Sequence, residues 1–212
     1  MNAEDREELI LRAATAYFAE QGLGAGTIEL ARRIGITQPL LYKYFPTKDA
    51  LIERVYDRLI PKNWNPNWEL VLIDQSTPVR QRLKTFYVDY VENVLTYEHV
   101  RLFLFSGLNR SEYNARYYAV LSKRIFEVIA RAMRQEFGIV KKSRSVAKQE
   151  LEIVQSLHAV IYHLAYRRFV HGESIDNLPE LVERKVDFYL DGACDHFRKL
   201  ADPPEAKKAR PR

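Results

Sequence analysis

A single cysteine, Cys194, stands among 212 residues, which excludes an internal disulfide framework and any metal site built from several thiolates. Long apolar runs are missing as well. The richest stretch, LHAVIYHLAY, is broken by histidines and falls far short of the roughly 20 residues that span a bilayer, so no membrane partner is expected. The opening MNAEDREE is acidic and carries no apolar run, which predicts no secretory leader and a cytoplasmic location. Catalytic signatures are absent too: there is no glycine-rich phosphate loop, no H-E-x-x-H and no G-x-S-x-G. His158 and His163 are five positions apart, not the four that align two ligands on one helical face, and no carboxylate accompanies them at ligand spacing. They read as core or interface histidines. No catalytic residue, metal or cofactor is assigned, and the chain is not expected to be an enzyme.

What is present is ordinary for a soluble globular protein: 47% hydrophobic and 29% charged residues, enough chain to bury a substantial core. A net charge of +5 is compatible with a nucleic-acid partner, but its distribution matters more than its sum. Glu4, Asp5, Glu7 and Glu8 crowd the first helix, where they suit its positive end. Arg32, Arg33, Lys43 and Lys48 face only Glu29 before Asp49, which predicts a local positive patch. A second basic stretch, including Lys123, Arg124, Arg131, Arg134, Lys141, Lys142, Arg144 and Lys148, reads as a solvated helix face and loop.

The stretch TIELARRIGITQPLLYKYF, residues 27–45, reads as two short helices joined by a tight turn. Thr27 is expected to cap the first, whose Ile28, Leu30, Ala31 and Ile34 follow helical spacing. Gly35 ends it through a left-handed residue, Thr37 caps the next, and Pro39 sits in its first turn, where the missing N–H is not needed. Leu40, Leu41 and Tyr44 can brace the second helix, leaving Gln38, Tyr42 and Lys43 on its other side. In a helix-turn-helix the second helix enters the major groove and the first crosses the backbone. Gln suits adenine, Lys suits guanine, and Thr or Tyr hydroxyls suit phosphates. Two amphipathic helices around a glycine also occur in helical proteins that never meet DNA, so periodicity alone leaves both possibilities open.

Residues along this region resemble the DNA-binding domain of the TetR family of bacterial transcriptional repressors. The matching positions are Ile10, Leu11, Ala13, Ala14, Phe18, Glu20 and Gly22, then Thr27, Leu30, Ala31, Gly35, Ile36 and Thr37. Leu41, Tyr42, Tyr44 and Phe45 follow, and Thr47, Lys48, Asp49 and Leu51 resemble the pattern that opens the family's fourth helix. The likeness covers roughly the first quarter of the chain. Two positions depart from it: Ile28 is apolar where relatives carry a residue able to reach DNA, and Ile34 replaces a small residue before the turn glycine. The resemblance implies an all-α protein in which residues 1–47 form the helix-turn-helix domain, residues 48–60 connect, and residues 61–200 form a helical ligand-binding and dimerisation domain. It also implies that a ligand in the body moves the fourth helix and so respaces the two reading helices.

Along the remaining chain, helix one is expected to end at about Gln21 and helix four to run from Thr47 to Leu59 until Pro61 stops it. PKNWNPNW reads as a linker in which Trp64 and Trp68 either pin the segment to the body or form a ligand lid. A long helix from Thr77 to about Tyr97, a shorter one to Leu108 and another from Ser111 to Phe137 follow. Their aromatics are either core or the wall of an apolar pocket, with Trp64, Trp68, Phe86, Tyr90, Phe105 and Tyr118 as candidate effector contacts. The last helices, about 145–171 and 178–200, carry more apolar surface than one core needs. One stripe of the first includes Val154 and Ile161, and Val182, Val186, Tyr189 and Ala193 form a row on the second. A homodimer through a four-helix bundle explains them; full burial inside a monomer is the plainer alternative. Residues 201–212, ADPPEAKKARPR, read as disordered.

With these observations, the resemblance implies a ligand-responsive repressor that binds a palindromic double-stranded operator as a homodimer and is released by a small hydrophobic or aromatic effector. Expected DNA contacts are Gln38, Pro39 and Lys43 to bases, with Thr27, Thr37, Tyr42, Tyr44 and Lys48 fixing the backbone. An α-helical enzyme or small-molecule carrier with a scaffolding N-terminal motif is the alternative, and a nonspecific DNA-coating protein a third.

Overall fold

The computed structural model describes residues 2–62, 64–109, 111–139 and 145–201; the side chains at 60–62, 109, 111 and 194–201 fall outside that description, as does the tail expected to be disordered from residue 202 onward. Among the described residues the secondary structure is helical without strands. The chain divides into two compact units, one of Met1–Trp64, Glu92–Tyr118 and Ala165–Glu173, the other of Asn65–Val91, Ala119–Leu164 and Ser174–Arg212.

The first unit starts with α1, Ala3–Gln21. Asn2 and Asp5 exchange side-chain and backbone hydrogen bonds in a capping box that satisfies two otherwise orphaned N–H groups. Ile10, Ala14 and Phe18 recur at helical spacing and are fully buried, each of the large ones contributing about 1.5–3 kcal/mol of burial. Around them close α2 (Thr27–Ile34) through Leu30, α3 (Gln38–Tyr44) through Leu41, and α4 (Lys48–Lys62) through Leu51, Ile52 and Val55. Helix α7, Tyr97–Asn109, completes the core with Leu102. Its Arg101 donates to the carbonyl of Ala19 at 2.6 Å, capping the end of α1. Acidic residues of α1 pair with α4, Glu7 with Arg54 at 2.9 Å and Glu8 with Arg58 at 2.5 Å. Tyr56 of α4 donates to the Leu102 carbonyl at 2.7 Å and stacks on Tyr113 at 4.2 Å. Tyr113 lies on α8, Ser111–Leu121.

Pro61 does not stop α4, which runs on to Lys62. Near a helix end the ring removes one donor from a turn that is already closing, so its cost is small there. The segment expected as a plain linker holds a short helix, α5 (Asn67–Ile73). Helix α6 spans Val79–Asn93 and ends before Tyr97, because Thr96 starts α7 instead: its carbonyl receives the Val100 N–H at 3.0 Å and its hydroxyl the His99 N–H at 3.3 Å. The predicted helix from Ser111 to Phe137 is interrupted by a π-helical turn, Ser122–Phe126, before α9 (Glu127–Glu136). That wider turn brings consecutive Ile125 and Phe126 both inside.

In the second unit, Tyr87 and Tyr90 of α6 and Phe126 pack around His158 of α10 (Lys148–Phe169), with Phe86 against the two tyrosines. His158 is therefore a core histidine, as its apolar surroundings in the sequence suggest. The last helix is α11, Leu178–Ala201. Cys194 lies on it, with its side chain outside the described set. The second basic stretch is not uniformly solvated. Arg134 is buried and forms a bidentate pair with Glu150, itself 0% exposed, while the Arg134 guanidinium also donates to the Ser145 carbonyl at 2.8 Å. Lys141, Lys142 and Arg144 lie outside the described residues.

Candidate nucleic-acid interface

Local chemistry builds the turn between α2 and α3. Gly35 adopts φ 75°, and its N–H bonds back to the α2 carbonyls; a side chain in that region costs roughly 1–2 kcal/mol. Thr37 then accepts the Leu40 N–H at 3.3 Å, and Pro39 occupies the first turn of α3. Leu41 points inward, whereas Thr37, Pro39 and Lys43 are exposed and Gln38 and Tyr42 half-buried. Tyr44 packs against the core as a brace, and the Lys48 ammonium lies 5.9 Å over the Phe18 ring.

Thr27 departs from its expected role. The N-cap of α2 is Gly26, without a side-chain cap bond, and Thr27 is only 6% exposed, so it neither caps nor faces a phosphate. Its hydroxyl instead accepts from Gln38 Nε2 at 2.9 Å and shares a hydrogen bond with the Tyr42 hydroxyl at 2.9 Å. Three residues expected to touch DNA side by side thus form one network, with Thr27 as its fixed base. The Gln38 amide keeps one N–H and its carbonyl oxygen for a base edge, the pair that adenine requires.

The positive patch is partly neutralised by the protein. Glu29 receives Arg32 at 2.7 and 2.8 Å and Arg33 at 3.4 Å, and Glu20 receives Arg33 at 2.8 Å. Hydrogen bonding from Arg32 holds the Glu29 carboxyl down to about 2, and Arg33 lowers that of Glu20. Glu29 precedes these arginines by three and four positions, a spacing that carries the signal in the sequence. Ile28 is 70% exposed beside them.

The six candidate effector contacts divide between the two units. Trp68 packs edge-to-face on Phe86 and Tyr90 in the second unit, with its indole donating to Asp89 at 2.5 Å; Trp64, Phe105 and Tyr118 belong to the first unit. Of the anticipated dimer residues, Val154, Ile161, Val182 and Val186 are buried within the chain, whereas Ala193 and half-buried Tyr189, whose hydroxyl donates to the Ile153 carbonyl, also border an open groove. Helical spacing identifies a stripe without saying which surface covers it, and here the chain's own core does. The side left open is a groove of about 940 Å³ between α10 and α11, bordered by Ile153, Gly192 and Phe188, the last 82% exposed.

Residues 10–55 match the family model described as bacterial regulatory proteins, tetR family. The tetracycline repressor protein class A from transposon 1721 of Escherichia coli is 31% identical over 85 residues, a match that spans 36% of this chain and only 39% of that repressor. Solved structures share the fold over nearly the whole length. A TetR-like transcriptional regulator from Rhodococcus sp. RHA1 has a TM-score of 0.63 at 19% identity, covering 91% of this chain and 99% of that one. A TetR family transcriptional regulator from Pseudomonas syringae pv. tomato has a TM-score of 0.59 at 18% identity, covering 91% and 97%. Residues 10–55 thus carry the helix-turn-helix domain of the tetR family of bacterial regulatory proteins, and the all-helical fold around it is the one such regulators adopt.

Proposed function

We propose that the protein is a cytoplasmic, ligand-responsive transcriptional repressor that binds a palindromic operator as a homodimer and is released by a small hydrophobic or aromatic effector. The observation that carries this reading is the outward side of α3, where Gln38 and Tyr42 are held ready by the buried Thr27 hydroxyl. Gln38, Pro39 and Lys43 read bases, Thr37, Tyr42, Tyr44 and Lys48 fix the backbone, and Thr27 acts through its two partners. A second copy meets the first across the groove beside Phe188 and sets the two α3 helices about 34–36 Å apart, one DNA turn. An effector that prefers the wrongly spaced state by about 1–3 kcal/mol weakens operator affinity roughly 5- to 150-fold. The family match and the shared fold favour this reading over an α-helical enzyme or carrier.

Selection from random duplexes followed by fluorescence anisotropy tests it. The expected product is a twofold-symmetric site; Gln38→Ala relaxes preference at one base position, and Tyr42→Phe weakens all sequences alike. Binding that ignores sequence and falls steeply with salt would identify a DNA-coating protein instead, and indifference to every duplex would refute the reading.

A further inference from the structure

A cavity in the first unit holds chemistry that neither the DNA interface nor core packing uses. Tyr56 of α4, His99 and Phe103 of α7, and Tyr113, Asn114 and Tyr117 of α8 surround it. His99 is 3% exposed, and neither of its ring nitrogens finds a hydrogen-bond partner among the described residues. The Oδ1 of Asn114, likewise shielded from solvent, finds none there either. Leaving a buried polar atom unpaired forfeits its hydration without return, so native proteins rarely do it. Several such atoms around one cavity mark a place prepared for a polar visitor.

Asn114 is held in position by specific means. Its Nδ2 donates to the Phe103 carbonyl at 3.0 Å, and a Cβ at position 107, where the chain has glycine, would stand 3.0 Å from that same nitrogen. The walls are aromatic. His99 lies 5.2 Å from Tyr117 and parallel to Phe103 at 6.1 Å, while Tyr56 stacks on Tyr113. Burial lowers the His99 imidazole to about 4, so near neutral pH it offers one N–H and one lone pair. No charged side chain lines the cavity among the described residues, and a buried anion would lack a counter-charge. The space is about 10 Å³, room for one water; a larger guest must part the stacked tyrosines.

We infer that this cavity is the effector site and takes a small, neutral aromatic molecule bearing a hydroxyl, whose O–H donates to Asn114 Oδ1 and whose oxygen accepts from the His99 ring N–H. The inference rests on the repressor reading above and adds to it the residues and the ligand class. The guest's ring lies among Phe103, Tyr113 and Tyr117. Entry separates Tyr56 from Tyr113, and Tyr56 belongs to α4, which follows α3 directly.

The test uses the full chain without DNA, with phenol, toluene and benzoate as probes, read by calorimetric titration and thermal shift. Phenol should bind at least about tenfold more tightly than toluene, which offers no hydrogen bond, and benzoate should not bind. His99→Phe and Asn114→Leu should each weaken phenol by about tenfold, whereas His99→Gln, which keeps a donor and an acceptor, should retain most of the affinity. Should the apolar variants not fold, the imidazole nitrogen resonances of His99 in the unaltered chain read the same contact, and phenol should shift them. Equal binding of toluene and phenol, or nitrogens that phenol leaves unmoved, would overturn the site. Operator binding with no response to phenol also sinks the site alone. Phenol binding by a chain that ignores every duplex supports the site and refutes only the repressor reading.

Discussion

Thr27→Val exchanges a hydroxyl for a methyl of similar size and removes the shared anchor of Gln38 and Tyr42, both bonded to it at 2.9 Å. Two consequences separate cleanly. In the free protein the loss is about 1 kcal/mol of stability, because Gln38 and Tyr42 are only half-buried and water can replace one bond each. On DNA the loss is larger. Side chains that the folded protein had already ordered must now be ordered on binding, at about 0.5–1.5 kcal/mol each, or about 1–3 kcal/mol per reading helix. That is roughly 5- to 150-fold in affinity for a half-site, compounded on a full operator. Thr27→Ser restores the hydroxyl and should recover most of the loss. Anisotropy on a selected operator and on a scrambled duplex, with a urea titration alongside, separates the two effects. A valine variant that binds the operator as tightly as the unaltered chain would refute the anchoring role, as would a serine variant that fails as badly as valine.

Other perturbations follow from the same geometry. Glu29→Gln releases Arg32, and partly Arg33, toward phosphates, so binding to any duplex should strengthen and the log–log salt slope steepen by about 0.9 per subunit; an unchanged slope would show that these arginines do not face the backbone. Glu150→Gln removes the carboxylate charge that faces the buried Arg134 and should cost about 3–5 kcal/mol in a urea titration, whereas replacing both partners with apolar residues of similar volume should cost far less. The folded chain keeps His99 neutral down to about pH 4, while the unfolded chain takes up a proton near 6.5. Stability from this group is therefore complete above pH 6.5 and should fall by about 3 kcal/mol as pH drops to 4, a slope that His99→Phe should flatten in pH-dependent thermal unfolding. Phe188→Asp places a charge on the open α10–α11 groove; sedimentation should show a monomer and operator affinity should fall, while binding to an isolated half-site stays as before.

The turn between α2 and α3 was legible because its determinants are local: Gly35, Thr37 and Pro39 act on their own dihedrals and neighbouring amides, and each sits where the sequence predicts. Thr27 was misjudged because its partners are 11 and 15 positions away, and a threonine before an amphipathic run resembles a cap whichever way its hydroxyl turns. Thr96 illustrates the opposite case, a cap hidden inside what looked like continuous helix. The apolar stripe through Val154 and Ile161 was recognised correctly as a stripe, but periodicity is silent about whether α6 and α11 or a second molecule covers it. His99 carried almost no signal: a lone histidine in an aromatic helix looks like any core histidine until its nitrogens are seen without partners.

The first unit is assembled from pieces far apart in the chain, and α1 and α4 lean on Leu102 and Tyr113 as much as on each other. The reading head is therefore not a bead that can be snipped from its string. A fragment ending after α4 would bare Leu11, Val55 and Tyr56 to water and invite clumping, so any chimera that transplants these recognition helices must carry Glu92–Tyr118 along with them.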